Sequence, residues 1–269
     1  MISSLKKLEW RIRAFRKGCL HLDAVDQECL RGTHQGETLL VHGNGPSCYA
    51  GYEFASNRFG EKVVVLGMNA SLNIIKPNYY VLVDRFATIR YLEKISDIDC
   101  PLLVSQNALK KANHEYRKDN PDLCRSLGEI VRKPNTVKLE RSSSHAICPR
   151  MTFLPGSMAN AGIVSTCLAL MMLLPKLSPA GDWVNSIKPG RLLVTGLDGY
   201  DLGKRVKHID PNSPPPENPL SANLWQSSFM IQLFSLALFY GIDVWNLSLS
   251  GNMPVNDLCR NPEFDSFVG

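Results

Sequence analysis

Thr38-Leu39-Leu40-Val41-His42-Gly43-Asn44-Gly45-Pro46-Ser47 is the stretch that decides the fold class. A short apolar run stops abruptly at a Gly-Asn-Gly-Pro turn. A continuous apolar run of this length, bounded by turn residues, reads as a strand covered on both faces. Two glycines around an asparagine leave backbone bare, so a bulky charged ligand can approach its N–H groups. In α/β proteins such turns hold phosphates at the carboxyl ends of strands. The stretch therefore predicts an α/β fold and a phosphorylated small-molecule ligand.

Further strand-like runs follow at Lys62–Leu66, Tyr79–Val83, Pro101–Val104, Arg191–Thr195 and Ile242–Asn246. Helical patterns lie between them, over 86–95, 106–113, 159–174 and 223–240. Strands alternating with helices predict a mostly parallel, doubly wound (Rossmann-like) sheet. Residues 114–150 are polar and read as an insertion or a mobile loop, and the proline-rich residues 201–221 read as a lid. The expected division is a helical segment over 1–35, an α/β domain over 36–250 with its lid at about 201–221, and a tail over 251–269.

The bulk numbers suit an ordinary globular chain: 269 residues, 44% hydrophobic, 20% charged, net charge +5. The eight cysteines form no C-x-x-C pair and no zinc-ligand spacing, so reduced thiols in a cytoplasmic protein are expected. The longest apolar stretch, Ala161 to Leu174, is too short to span a bilayer and carries Ser165 and Thr166. Residues 3–17 place Leu5, Leu8, Ile12 and Phe15 at helical spacing among six basic residues. This pattern suits either peripheral contact with an anionic membrane, at the inner face of the cytoplasmic membrane, or docking on the domain itself.

The turn at 43–47 is neither of the two common phosphate loops. Cys48 stands where the third glycine of a dinucleotide fingerprint belongs, and no Gly-Lys-Ser/Thr follows. Four further elements repeat its chemistry. Gly67-Met68-Asn69 ends one strand, and Asp84 ends the run Tyr79-Tyr80-Val81-Leu82-Val83. Asn160-Ala161-Gly162 opens an apolar helix, whose N-terminus suits an anion. Thr195-Gly196-Leu197-Asp198-Gly199-Tyr200 ends another strand. A parallel sheet brings these turns to one edge. Asp97-Ile98-Asp99 matches a metal-binding D-x-D formally, but it precedes a strand and so reads as a helix-to-strand turn at the opposite edge.

In this order, the motifs resemble the bacterial sialyltransferases of glycosyltransferase family 42. They are also similar to a related group that includes archaeal 6-hydroxymethylpterin diphosphokinases. The resemblance covers about residues 38 to 250 and rests on short motifs. It implies a sialyltransferase-like fold and a CMP-activated ulosonic acid donor, such as sialic acid or Kdo. It implies inverting transfer to a surface-glycan acceptor of lipopolysaccharide or capsule type, without a cofactor and without a metal in the ligand sphere. Gly43, Asn44, Gly45 and Ser47 would then face the donor nucleotide. Asn69 and Asp84 would line the pocket, with Asn160, Ala161 and Gly162 against sugar or phosphate. Asp198 would hold the nucleotide end, and Tyr200 the leaving phosphate. The chain departs from the family pattern at Ala161, where a serine is usual, and lacks a second tyrosine shortly after Tyr200. Lys204, Arg205 or Lys207 would supply positive charge instead.

The chemistry needs a base for the acceptor hydroxyl, and histidine suits it because its pKa lies near neutrality. His208, in the expected lid, is the first choice, with His42 and His145 as rivals; the alternative for His208 is a solvated loop residue. Two other functions stay open: an ATP-dependent diphosphokinase, which would need Mg²⁺ held by carboxylates such as Asp84 and Asp198, and a non-catalytic nucleotide- or glycan-binding module. The basic run Lys204–Lys207 lacks the interleaved aromatics of a nucleic-acid site. A second copy of this chain is a partner left open.

Overall fold

The computed structural model describes residues 27–83, 85–105, 120–132, 136–139, 160–175, 188, 190–199, 218–249 and 253–269. Seven strands form one sheet: β1 (Thr38–His42), β2 (Val63–Met68), β3 (Tyr79–Leu82), β4 (Leu102–Ser105), β5 (Thr136–Leu139), β6 (Arg191–Thr195) and β7 (Asp243–Asn246). Their order across the sheet is β5-β4-β3-β2-β1-β6-β7, and every pairing is parallel. The fold is thus α/β with a doubly wound, Rossmann-like sheet. The winding reverses between β1 and β6, where such sheets place their ligand crevice.

Helices cover both faces, which explains the unbroken apolar runs of the central strands. The described helices are α1 (Cys48–Phe59), α2 (Arg85–Arg90), α3 (Leu92–Asp97), α4 (Pro121–Arg132), α5 (Ala161–Leu173), α6 (Pro219–Phe239) and α7 (Pro262–Val268). On one face Leu39, Val41, Leu66, Met68, Val81, Leu192 and Val194 pack against α5 and α6. All thirteen residues of α5 are buried, because this helix lies between the sheet and α6; a helix apolar all round needs such a place. On the other face Leu40, Val65 and Leu193 meet Phe54 and Ala55 of α1 and Phe264 of α7. Tyr80, Leu82, Leu102 and Val104 meet Ile95, Leu127 and Ile130 on the same side. Among the described residues no helix is long and apolar enough to cross a membrane.

Two stretches differ from the sequence expectation. The polar region 114–150 contains helix α4 and strand β5, which extends the sheet beyond β4. Residues 253–269, expected as a tail, fold onto the domain: Phe264 is fully buried and meets Phe54 edge-on at 5.4 Å. The helical pattern at 106–113, residues 201–217 of the expected lid and residues 1–26 lie outside the described residues; from Pro219 the expected lid is already helix α6.

Candidate functional site at the carboxyl edge

The loops after β1 and β6 meet at the switch point and bond to each other. Gly43 N–H donates to Thr195 O and Gly45 N–H to Gly196 O, both at 2.8 Å. Gly196 N–H donates to Ser47 Oγ at 2.8 Å, and Thr195 Oγ1 donates to Ser47 O at 2.9 Å. Ser47 stands at the N-cap of α1 without capping it through its side chain. Its backbone N–H donates instead to Asp198 Oδ2 at 2.9 Å. The other oxygen, Asp198 Oδ1, accepts from Leu249 N–H at 2.5 Å.

A carboxylate from the fold itself therefore occupies the place at the start of α1 where a bound phosphate would sit. The glycines serve this closure. A Cβ on Gly45 would stand 2.2 Å from Asp198 Oδ2, and one on Gly43 would stand 2.4 Å from Gly196 O. Gly196 itself has φ +67, a backbone that favours glycine. The bare cradle expected at Gly43, Gly45 and Ser47 has its N–H groups engaged internally. Asp198 is 1% exposed and joins two loops. These four residues have roles inside the fold, because two turns far apart in sequence supply each other's partners.

The remaining expected residues stand differently. Asn44 Oδ1 and Asn69 Oδ1 are buried with no hydrogen-bond partner. They follow β1 and β2, which are neighbours in the sheet. Asn69 has φ +49, a region that asparagine tolerates better than most residues. Its backbone oxygen accepts a hydrogen bond from Tyr80 Oη at 2.5 Å. Burial holds the Tyr80 phenol well above its ordinary pKa, so it stays a donor. Asn160 caps α5, its Oδ1 accepting from Ile163 N–H at 2.9 Å. Ala161 and Gly162 form the first turn of α5, and a Cβ on Gly162 would lie 2.6 Å from Leu197 Cδ2. The α5 N-terminus thus abuts the β6 loop. Asp84, Tyr200, His145 and His208 lie outside the described residues. Asp97 ends α3 ahead of β4, at the amino edge, as the sequence reading placed it.

His42 was a secondary candidate from sequence. It is fully buried, and its ring meets Tyr52 edge-on at 5.8 Å. Burial lowers its pKa to about 4, partly offset by backbone groups of His42, Cys48 and Gly43 near the ring, which favour its charged form although none meets a ring nitrogen in hydrogen-bond geometry. Neither ring nitrogen has a hydrogen-bond partner. Cys48, at the start of α1, is no thiolate nucleophile: burial first, and then the Asp198 charge, push its thiol up to about 12.

Sequence reasoning did not single out Ser71, Ser105 or Ser248. Each is a buried serine whose hydroxyl lacks a partner, and they lie after β2, at the end of β4 and after β7. Their position directly at or after apolar strands was the available signal. Among the described residues no group of His, Cys, Asp and Glu is arranged to hold a metal ion. A groove of about 600 Å³ at the amino edge is lined by residues including Glu37, Arg58, Glu61 and Lys62; its charges balance, and it lies opposite the strand ends that bear the unpartnered groups. No family model, curated protein or solved structure matches the chain.

Proposed function

We propose that this chain is a CMP-sugar-dependent glycosyltransferase that moves a sialic acid or a related ulosonic acid to a glycan acceptor. The observation that carries the reading is the pair of buried, unpartnered side-chain oxygens of Asn44 and Asn69 on adjoining strand ends. Buried polar atoms normally have partners, so such a pair calls for a polar ligand. The reading rests on a carboxyl edge beside a topological switch point, where α/β sheets take nucleotides.

The described edge carries amides and hydroxyls and no Lys or Arg at 43–47, 69–73, 160–163, 196–199 or 247–249. A lining without cations, whose one carboxylate, Asp198, is engaged by backbone N–H groups, suits sugar hydroxyls and the amide edge of a base. Charge for the phosphate is assigned to Lys204, Arg205 and Lys207. In the proposed reaction the acceptor hydroxyl attacks the anomeric carbon and His208 takes its proton. The bond from that carbon to the phosphate oxygen breaks, and CMP leaves with the electron pair while Tyr200 donates a hydrogen bond to it. Asp198 is a poor ligand for the Mg²⁺ that a diphosphokinase would need, since both its oxygens accept backbone N–H groups inside the fold.

A thermal-shift screen of the full chain with CMP, UDP, GDP and ATP tests the donor class. CMP at a hundredfold excess over its dissociation constant should add about 2.7 kcal/mol of stability. Asn44→Ala and Asn69→Ala should lose most of that shift. With a CMP-sugar donor, His208→Ala should slow transfer by about 10²–10⁴-fold while CMP still binds. No shift with CMP, or a shift only with ATP and Mg²⁺, would overturn the reading.

A further inference from the structure

Along β1 the side chains of Leu40 and His42 face α1, and their in-register neighbours on β2 are Val65 and Gly67. Gly67 brings no side chain to this layer. Its place is taken by the Ser71 hydroxyl and the Pro77 ring, from which a Cβ on Gly67 would stand 2.6 Å and 3.0 Å away. The imidazole of His42 and the Ser71 hydroxyl are therefore neighbours in one layer, on strands roughly 4.8 Å apart. Both residues are 0% exposed. Neither ring nitrogen of His42 and no atom of the Ser71 hydroxyl has a hydrogen-bond partner, so they do not bond each other.

The backbone is shaped to bring this about. Asn69 takes the left-handed conformation at φ +49 and starts the 3₁₀ turn Asn69–Asn73. That turn folds Ser71 back over Gly67. A side chain would block the hydroxyl at 67, and an extended residue at 69 would carry it away. Two special backbone positions thus set a hydroxyl over Gly67, the in-register neighbour of His42. Tyr52 of α1 closes one side, its ring at 80° to that of His42.

We propose that His42 and Ser71 enclose a binding site for one internal water beneath the Gly43–Ser47 turn. A neutral imidazole offers one donor and one acceptor, and a hydroxyl offers both. A single water between them satisfies groups that would otherwise each forfeit a bond in a dry interior. The water braces the ends of β1 and β2, and with them Asn44 and Asn69. This water site does not depend on which ligand the carboxyl edge takes.

Water–protein cross-relaxation NMR on the isotope-labelled full chain tests it. A long-lived water should show contacts to the His42 ring protons and to the Ser71 amide. Ser71→Ala should abolish those contacts while leaving the rest of the amide spectrum in place. His42→Gln, which keeps a donor and an acceptor, should retain the water, and His42→Leu should expel it. Should His42→Leu not fold, the smaller Ser71→Ala change decides alone. Absence of a long-lived water in the unaltered protein, or contacts that persist in Ser71→Ala, would overturn the proposal.

Discussion

At the residue scale the Gly43–Ser47 turn and Asp198 hold each other. A methyl at Gly45 would stand 2.2 Å from Asp198 Oδ2, so Gly45→Ala should cost about 1–3 kcal/mol as overpacking. Asp198→Ala should cost more, roughly 2–6 kcal/mol, because two backbone N–H groups lose their acceptor. Asp198→Asn should fall between the unaltered chain and alanine. Urea midpoints at constant slope check this order; equal stability of all three would remove Asp198 from its structural role. His42 adds a pH dependence of known sign. Its pKa falls from 6.5 in the unfolded chain to about 4 in the fold, so the unfolded state binds the extra proton between those values. Stability is then full above pH 6.5 and lost as pH falls toward 4, by about 3 kcal/mol in all. The difference in unfolding free energy between the unaltered chain and His42→Gln, followed from pH 7 to 4, reads this contribution. A flat difference would show that the imidazole is not held neutral.

At the element scale, α5 joins core to site. It is buried along its whole length, yet its first residues abut the β6 loop through Gly162 and Leu197. The Asn160 side chain caps that end. Asn160→Ala should destabilise the fold by about 0.5–2 kcal/mol. It should also weaken CMP binding if the α5 start lines the donor pocket; thermal unfolding with and without CMP separates the two effects. The α4–β5 unit shows where local reading stopped short. Asn120 accepts from Leu123 N–H at 3.0 Å, and Pro121 follows at the first helical position, a start signal present in the sequence. The charged residues around it outweighed that signal, because α4 buries only a stripe containing Leu127 and Ile130. β5 has four residues, too few for a period to be read.

At the scale of the whole molecule residues 253–269 pack back onto the domain. Asn256 Nδ2 donates to Asp198 O and to Leu249 O, both at 3.0 Å. Arg260 donates to Ser248 O at 2.9 Å and to Asn256 O at 3.2 Å, and pairs with Asp265. Phe264 seals α1 from outside. A chain ending at residue 250 should lose its cooperative thermal transition, since it uncovers the α1 face and strands Asp198's neighbours. A sharp, unchanged transition in that truncation would make 251–269 dispensable. Polar residues such as Asn256, Asn261 and Asp265 give this segment the look of a tail, although Asn261 caps α7 and Asn256 and Arg260 bond to residues outside it.

The sequence by itself determined the parallel α/β class and put glycines and asparagines at the strand ends. Both are local matters: apolar runs of strand length need cover on two faces, and turn chemistry acts within a few residues. Only the tertiary structure decided what Gly43-Asn44-Gly45-Pro46-Ser47 does. Ser47 and Asp198 lie 151 residues apart, and they meet because the winding reverses between β1 and β6. That meeting engages the turn's N–H groups with the fold's own carboxylate and carbonyls. It leaves the Oδ1 atoms of Asn44 and Asn69 among the buried polar atoms without partners at that edge.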